Sequence, residues 1–286
     1  DSIRASFGLS YLRDLLKSHG VCARMANNEA ISVAMINGSQ MLPLRAMSVF
    51  KSVGGHVASD ALALGNLSGA NPEGGVVIVF GDDPWSESTQ VPADSRYLCQ
   101  HLRMPVLEPA TSQEVKDFVP LAFRLSQVSS LYIGYILTTT LADGGGTIKV
   151  GPNYWPTQSM KNPVQLHTDT LDLEGTVLLP PRTGKKEVQM PQRFAALLDE
   201  ARRLGVNQVT GPTESAKVGF VSCGLGHHYL LAALADLGLA DRFPILKLGL
   251  CYPLDDKQIA EFASRVEHLI VVEERRGFVE QPIAEI

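Results

Sequence analysis

The sequence predicts an α/β protein built on two doubly wound, mainly parallel sheets, and three observations carry that expectation. Short, fully apolar runs such as Val76-Val77-Ile78-Val79-Phe80 have the composition of strands buried on both faces. Between such runs lie segments with apolar residues at helical spacing, the alternation from which helix-covered parallel sheets are made. The alternation occurs twice, on either side of a stretch at 149–190 that carries Pro152, Pro156, Pro163, Pro180 and Pro181 and little periodicity. A chain of 286 residues that is 45% hydrophobic can bury two cores of ordinary size. The expected layout is a first domain over 1–148, a linker with a helix over 149–215, and a second domain over 216–286.

Leu9, Leu12, Leu15 and Leu16 give residues 5–18 a helical face that Gly20 is placed to stop, and a strand is expected over 21–24. Asn27 or Asn28 suits the N-cap of a helix through Glu29, Ile31, Val33, Ala34 and Ile36, ended by Gly38. Glu29 therefore falls in a first helical turn. Strands at 45–50, 76–80, 105–107 and 131–138 then alternate with helices at 57–68, 94–102 and 112–126, until Gly144-Gly145-Gly146 breaks the pattern. A short strand at 176–179 and a helix at 191–204 follow. In the second half, strands at 218–222, 245–248 and 268–272 alternate with helices at 227–237 and 256–266, and a last helix opens near Phe278. That helix is expected to be cut off at Ile286, with the chain stopping within a domain or before another module.

Several function classes are disfavoured by composition. With 25 basic against 30 acidic residues, the net charge is −5 and no basic run offers a nucleic-acid footprint. No apolar stretch approaches the roughly 20 residues that span a bilayer, and the first residues lack a signal-peptide layout. The expectation is a soluble cytoplasmic protein with no nucleic-acid or membrane partner. Cys22, Cys99, Cys223 and Cys251 are widely scattered, with no C-x-x-C pair, and read as reduced core thiols. An iron–sulfur cluster held by this chain alone is not expected.

The chemistry-bearing residues form an ordered series. Asn28-Glu29-Ala30 heads an apolar run, and about 25 residues on comes Lys51-Ser52-Val53-Gly54-Gly55-His56-Val57-Ala58-Ser59-Asp60. Its glycine pair suits a strand-to-helix turn that approaches a ligand closely. Next come Gly65-Asn66-Leu67-Ser68-Gly69, then Gly81-Asp82-Asp83-Pro84 past the end of a buried strand, where open α/β sheets bind ligands. Ser86, Ser88, Thr89, Gln90, Asp94-Ser95-Arg96-Tyr97, Pro105-Val106-Leu107-Glu108-Pro109-Ala110 and Ser112-Gln113-Glu114 continue it. Plainer readings stand beside these: Glu29 and Asp60 as first-turn partners of a helix dipole, Asp82 and Asp83 as capping or turn residues, the glycines as a simple turn.

Taken in order, the series resembles the pyrimidine-binding domain of thiamine diphosphate enzymes, and more narrowly the indolepyruvate (arylpyruvate) branch of the 2-oxoacid:ferredoxin oxidoreductases. In the second half, Cys223-Gly224-Leu225-Gly226-His227-His228-Tyr229, Lys247-Leu248-Gly249, Tyr252-Pro253-Leu254 and Val271-Val272-Glu273-Glu274 are similar to landmarks of the transketolase C-terminal-like domain of that family. The resemblance implies that Glu29 is catalytic, contacting the cofactor's aminopyrimidine ring and favouring its imino tautomer. It implies cofactor contacts from Asn28, Glu29, Gly54, Gly55 and Asp82, and substrate contacts from Lys51 and His56. The cofactor it implies is thiamine diphosphate with Mg²⁺, shared with a partner domain, with iron–sulfur clusters and coenzyme A expected elsewhere in the assembly. Ferredoxin and the diphosphate-binding and iron–sulfur modules are the implied partners, in a homo-oligomer.

Two family features are missing here. Gly81-Asp82 is not followed by the glycine of a Gly-Asp-Gly…Asn diphosphate motif, and no asparagine occurs between residues 72 and 152. The substrate loop with a Tyr/Arg-x-Gly-Ser/Thr-Pro pattern is absent too. The chain is therefore expected to be a fragment or single subunit, inert alone. A thiamine-dependent non-redox decarboxylase or carboligase subunit and a non-catalytic structural or regulatory subunit remain the competing readings. His227-His228 lacks a third ligand at metal spacing, so no metal is expected, and a backbone anion site at that glycine-containing turn is the sharper alternative.

Overall fold

A computed structural model describes residues 15–152, 167–171, 178–212 and 215–286. Two sheets form, with strand orders β1-β2-β4-β3-β8 and β5-β7-β6-β9. In the first, β1 (Ala46–Lys51), β2 (Val76–Asp82), β4 (Ile133–Thr138) and β3 (Val106–Leu107) run parallel, in register from Ala46↔Val76 and Val77↔Ile133 onward. Parallel neighbours need crossovers, and helices supply them. α1 (Glu29–Ser39), α2 (Ser52–Val57), α3 (Ser59–Ser68) and α4 (Ser95–His101) pack toward one face around Phe80, Ile78 and Tyr132. α5 (Ser112–Ser129) covers the other face through Phe118, Ala122 and Leu125. A short α6 (Thr139–Asp143) follows β4.

α7 (Arg182–Val188) leads into α8 (Met190–Leu204), an amphipathic helix that lays Leu197 and Ala201 on α5. Its Arg193 donates to the carbonyls of Asn66, Leu67 and Ser129, where α3 and α5 end. The second sheet then forms from β5 (Gln208–Thr210), β6 (Ala216–Cys223), β7 (Ile245–Leu248) and β9 (Val266–Val272). β6, β7 and β9 are parallel, and β5 is antiparallel to β7. α9 (Gly224–Asp236) follows β6, α10 (Asp256–Ala263) precedes β9, and α11 (Glu280–Glu285) ends the fold.

The two halves are not independent. β8 (Leu250–Tyr252), two residues after β7, leaves the second sheet and adds antiparallel to β3 of the first. One buried apolar cluster accordingly joins Phe80 and Val106 to Val221, Leu248, Phe262 and Phe278.

Most expected elements are present, and the differences have local causes. Residues 21–24 form no strand, because no neighbouring strand pairs with them. The glycine-containing segment after β1 is the helix α2, with neither Gly54 nor Gly55 at positive φ, so the expected strand-to-helix turn is absent. Cys22 is exposed, unlike the other three thiols. The expected strand at 176–179 falls largely outside the described residues, as does most of the helix at 5–18, of which residues 15–18 are helical. Among the described residues, no helix is long and apolar enough to cross a membrane.

Candidate functional site

The carboxyl ends of β1 and β2 carry Lys51, Asp82 and Asp83, whereas Asn66 lies at the opposite end, beside the start of β4. Asn28 caps α1, its side chain accepting from the Ile31 amide at 2.8 Å, and this fixes Glu29 as the first helical residue. The Glu29 side chain lies directly on Gly54 of α2. A Cβ at Gly54 would stand 2.5 Å from Glu29 Cγ and 2.7 Å from Oε1, so only glycine leaves this carboxylate its place. On the neighbouring position, a Cβ at Gly55 would strike Phe80 at 2.7 Å, which seats α2 flush on β2. Glu29 is half-buried, and its carboxylate makes no hydrogen bond or ion pair to another described residue.

Lys51 ends β1 and donates to the Ser88 carbonyl at 3.0 Å, pinning the loop after β2. Asp83 organises that same loop from below, accepting from the amides of Glu87, Ser88 and Thr89 and from the Thr89 hydroxyl at 2.7–2.8 Å. Burial opposes its charge, but these four donors hold the Asp83 carboxyl below its ordinary value. Asp82 faces the other way. It is 2% exposed, accepts the Ser95 amide at 2.9 Å and hydroxyl at 2.7 Å, and burial pushes its pKa up to about 6. Its carboxylate is thus occupied in starting α4. His56 is exposed in the last turn of α2. Asn66 is buried, donating to the carbonyls of Leu102 and Arg103 and accepting from the Tyr132 amide, all at 3.0 Å, so it braces α3 against its neighbours.

Sequence spacing did not show a second cluster, which packing between the halves creates. Arg96, 3% exposed, donates to Asp94, to Glu108 at 3.3 Å, to Glu273 at 3.1 Å and to the Arg276 carbonyl at 3.2 Å. Glu273 also accepts the amides of Phe278, Val279 and Glu280 at the start of α11. Trp85 of the loop after β2 donates to Glu274 at 2.9 Å. The Glu108 carboxylate lies against Gly224, held at φ +48°, where a Cβ would meet it at 2.2 Å. A carboxylate of the chain itself thus lies beside the first residue of α9. Beside it, Ser222 and His227 Nδ1 are 2.9 Å apart, and Lys247 pairs with Glu114 of α5. Burial, with the Lys247 ammonium nearby, pushes His227 down to about 4, leaving it neutral at pH 7.

The class follows from this architecture: the described fold is that of 2-oxoacid oxidoreductases and transketolases. A 2-oxoglutarate:ferredoxin oxidoreductase from Magnetococcus marinus, solved with 2-oxoglutarate, coenzyme A and succinyl-CoA bound, superposes with a TM-score of 0.72 at 16% identity, over 98% of this chain and 55% of that one. A split-gene transketolase, an inactive beta4 tetramer, gives 0.55 at 13% identity, over 92% of this chain and 69% of that one. More particularly, residues 207–286 match the indolepyruvate oxidoreductase domain. Indolepyruvate oxidoreductase subunit IorA of Pyrococcus horikoshii is 30% identical over 93% of this chain and 40% of its own length. That of Archaeoglobus fulgidus is 31% identical over 88% of this chain and 39% of its own. The chain is related to the indolepyruvate oxidoreductase subunits along nearly its whole length, and it spans about 40% of the curated relatives it matches.

Proposed function

We propose that this chain supplies the aminopyrimidine half-site of a thiamine diphosphate-dependent indolepyruvate (arylpyruvate) ferredoxin oxidoreductase. In this reading residues 1–148 are the pyrimidine-binding domain, 149–215 the linker and 216–286 the transketolase C-terminal-like domain. The observation that carries it is the half-buried Glu29 carboxylate, cradled by Gly54 and without a partner among the described residues. A carboxylate in that state is fitted to hold a proton shared with a ring nitrogen. Around it, α1 and α2 leave Ile31, Met35, Val53 and Val57 about half exposed, an apolar rim suited to closure by a partner module.

Thiamine diphosphate, when bound, supplies the carbanion chemistry for oxidative decarboxylation of a 2-oxoacid. This chain's part is to orient Glu29 through the Asn28 cap and the Gly54 cradle. Lys51 and the Asp83-ordered loop line the substrate side of the same sheet edge, with His56 on the exposed face of α2. Asp82 acts on the cofactor edge indirectly, by fixing α4. In the assembled enzyme a partner domain would hold Mg²⁺ and the diphosphate, iron–sulfur modules would supply the route to ferredoxin, and coenzyme A would supply the acyl acceptor.

The test uses the assembled enzyme, with turnover read as arylpyruvate- and coenzyme A-dependent reduction of a viologen dye. Glu29→Gln is expected to cut turnover by roughly 10²- to 10⁴-fold, the range of a proton-transfer contribution. Thiamine-dependent turnover that survives the substitution unchanged removes Glu29 from the mechanism.

A further inference from the structure

Two thiols and a carboxylate, far apart in sequence, converge where the two halves meet. Cys223 ends β6, Cys251 is the middle residue of β8, and Glu108 follows β3. They are 0%, 1% and 3% exposed, and one ligand atom from each lies within 4.8 Å of the others. Cys251 Sγ is 3.3 Å from Glu108 Oε2. A tetrahedral zinc ion, with bonds of about 2.3 Å to sulfur and about 2.0–2.2 Å to oxygen, sets its sulfur and oxygen ligands about 3.5 Å apart. The observed separation is close to that edge. We infer that Glu108, Cys223 and Cys251 form a site for a thiophilic divalent cation, Zn²⁺ by class, that fastens the two halves together.

Ligand chemistry supports this, and charge permits it. Two soft sulfurs with one carboxylate select zinc over magnesium or calcium, which take oxygen ligands. Three carboxylates, of Asp94, Glu108 and Glu273, surround the single Arg96 guanidinium, so the seam holds buried negative charge in excess. A divalent cation that displaces the two thiol protons leaves that balance as it was. Arg96 Nη1 stands 3.8 Å from Cys223 Sγ and 3.3 Å from Glu108 Oε2, on the flank of the site. Among the described residues the set supplies three ligands, all buried. This inference is independent of the thiamine reading, because its measurement needs no turnover.

The full chain, purified anaerobically without chelator, is assayed for metal by inductively coupled plasma mass spectrometry. One equivalent of zinc is expected in the wild type, in Cys22→Ser and in Cys99→Ser, an equally buried thiol outside the set. Cys223→Ser and Cys251→Ser are each expected to fall to background. Because a core substitution can impair folding, the folded wild type is also stripped of metal and titrated with Co²⁺. A thiolate-to-cobalt charge-transfer absorption is expected, and zinc should abolish it. A wild type that is metal-free and gives no such absorption overturns the site. So does metal retained when both Cys223 and Cys251 are replaced.

Discussion

At the scale of single residues, Asp82 and Asp83 show how environment separates two identical side chains. Asp83 meets four donors, which outweigh burial, whereas Asp82 meets the amide and hydroxyl of Ser95 alone, with Asp94 and Glu108 adding like charge. The folded value of Asp82, about 6, lies above its ordinary 3.8. Folding therefore favours the protonated form, and the associated stabilisation is full below the lower value and lost as pH rises through the upper one. The rise corresponds to about 3 kcal/mol. In urea titrations the stability of the wild type relative to Asp82→Asn is expected to drop by up to that amount between about pH 4 and about pH 7. A difference that stays level with pH would show that Asp82 titrates alike in both states. Such a residue-scale signal was only half legible in the sequence. Its place past a buried strand was readable, but its engagement with Ser95 depends on where α4 docks.

At the scale of elements, what was legible tracks how local each cause is. β2 and β4 are apolar on both faces, and α1 has its Asn28 cap, so strand, helix and the first-turn position of Glu29 followed from the residues themselves. α2 was hidden, because two glycines in six residues weaken helix propensity and only packing on Phe80 and Glu29 offsets it. β8 was hidden for another reason: three residues after Gly249 become a strand only because β3 of the other sheet receives them. Asn207 sets up that crossing. Its side-chain oxygen accepts the amides of both Gly249 and Leu250 at 3.0 Å, while its nitrogen donates to Gln258 at 3.1 Å. Asn207→Ala strands two amides at the β7–β8 bend, so a loss of about 1–3 kcal/mol is expected. Equilibrium denaturation measures it, and a change below about 0.5 kcal/mol would place the bend under the control of packing alone.

At the scale of the whole molecule, the seam between the two sheets is held by charge as well as by apolar contact. Arg96 is the only cation that the described cluster offers to Asp94, Glu108 and Glu273, and its ring-facing side lies over Phe278 at 5.1 Å. Burial works against its charge, yet Glu108 and Asp94 together hold its pKa above the ordinary arginine value. Two of these acids come from the first half and Glu273 directly follows β9, so one side chain reaches a partner 177 residues away. Removing the guanidinium leaves three carboxylates facing one another without water. Arg96→Met is therefore expected to cost about 3–5 kcal/mol, the range for stripping one partner from a buried pair. Arg96→Lys should recover little, because an ammonium cannot reproduce the planar fork that meets Asp94 at 2.8 and 2.7 Å while also reaching Glu108 and Glu273. Adding Glu108→Gln to Arg96→Met removes one of the stranded charges and should restore part of the loss. Urea denaturation followed by tryptophan fluorescence reads all three, since Trp85 donates to Glu274 at the same seam. Were Arg96→Met as stable as the wild type, the join between the two sheets would owe nothing measurable to this buried charge cluster.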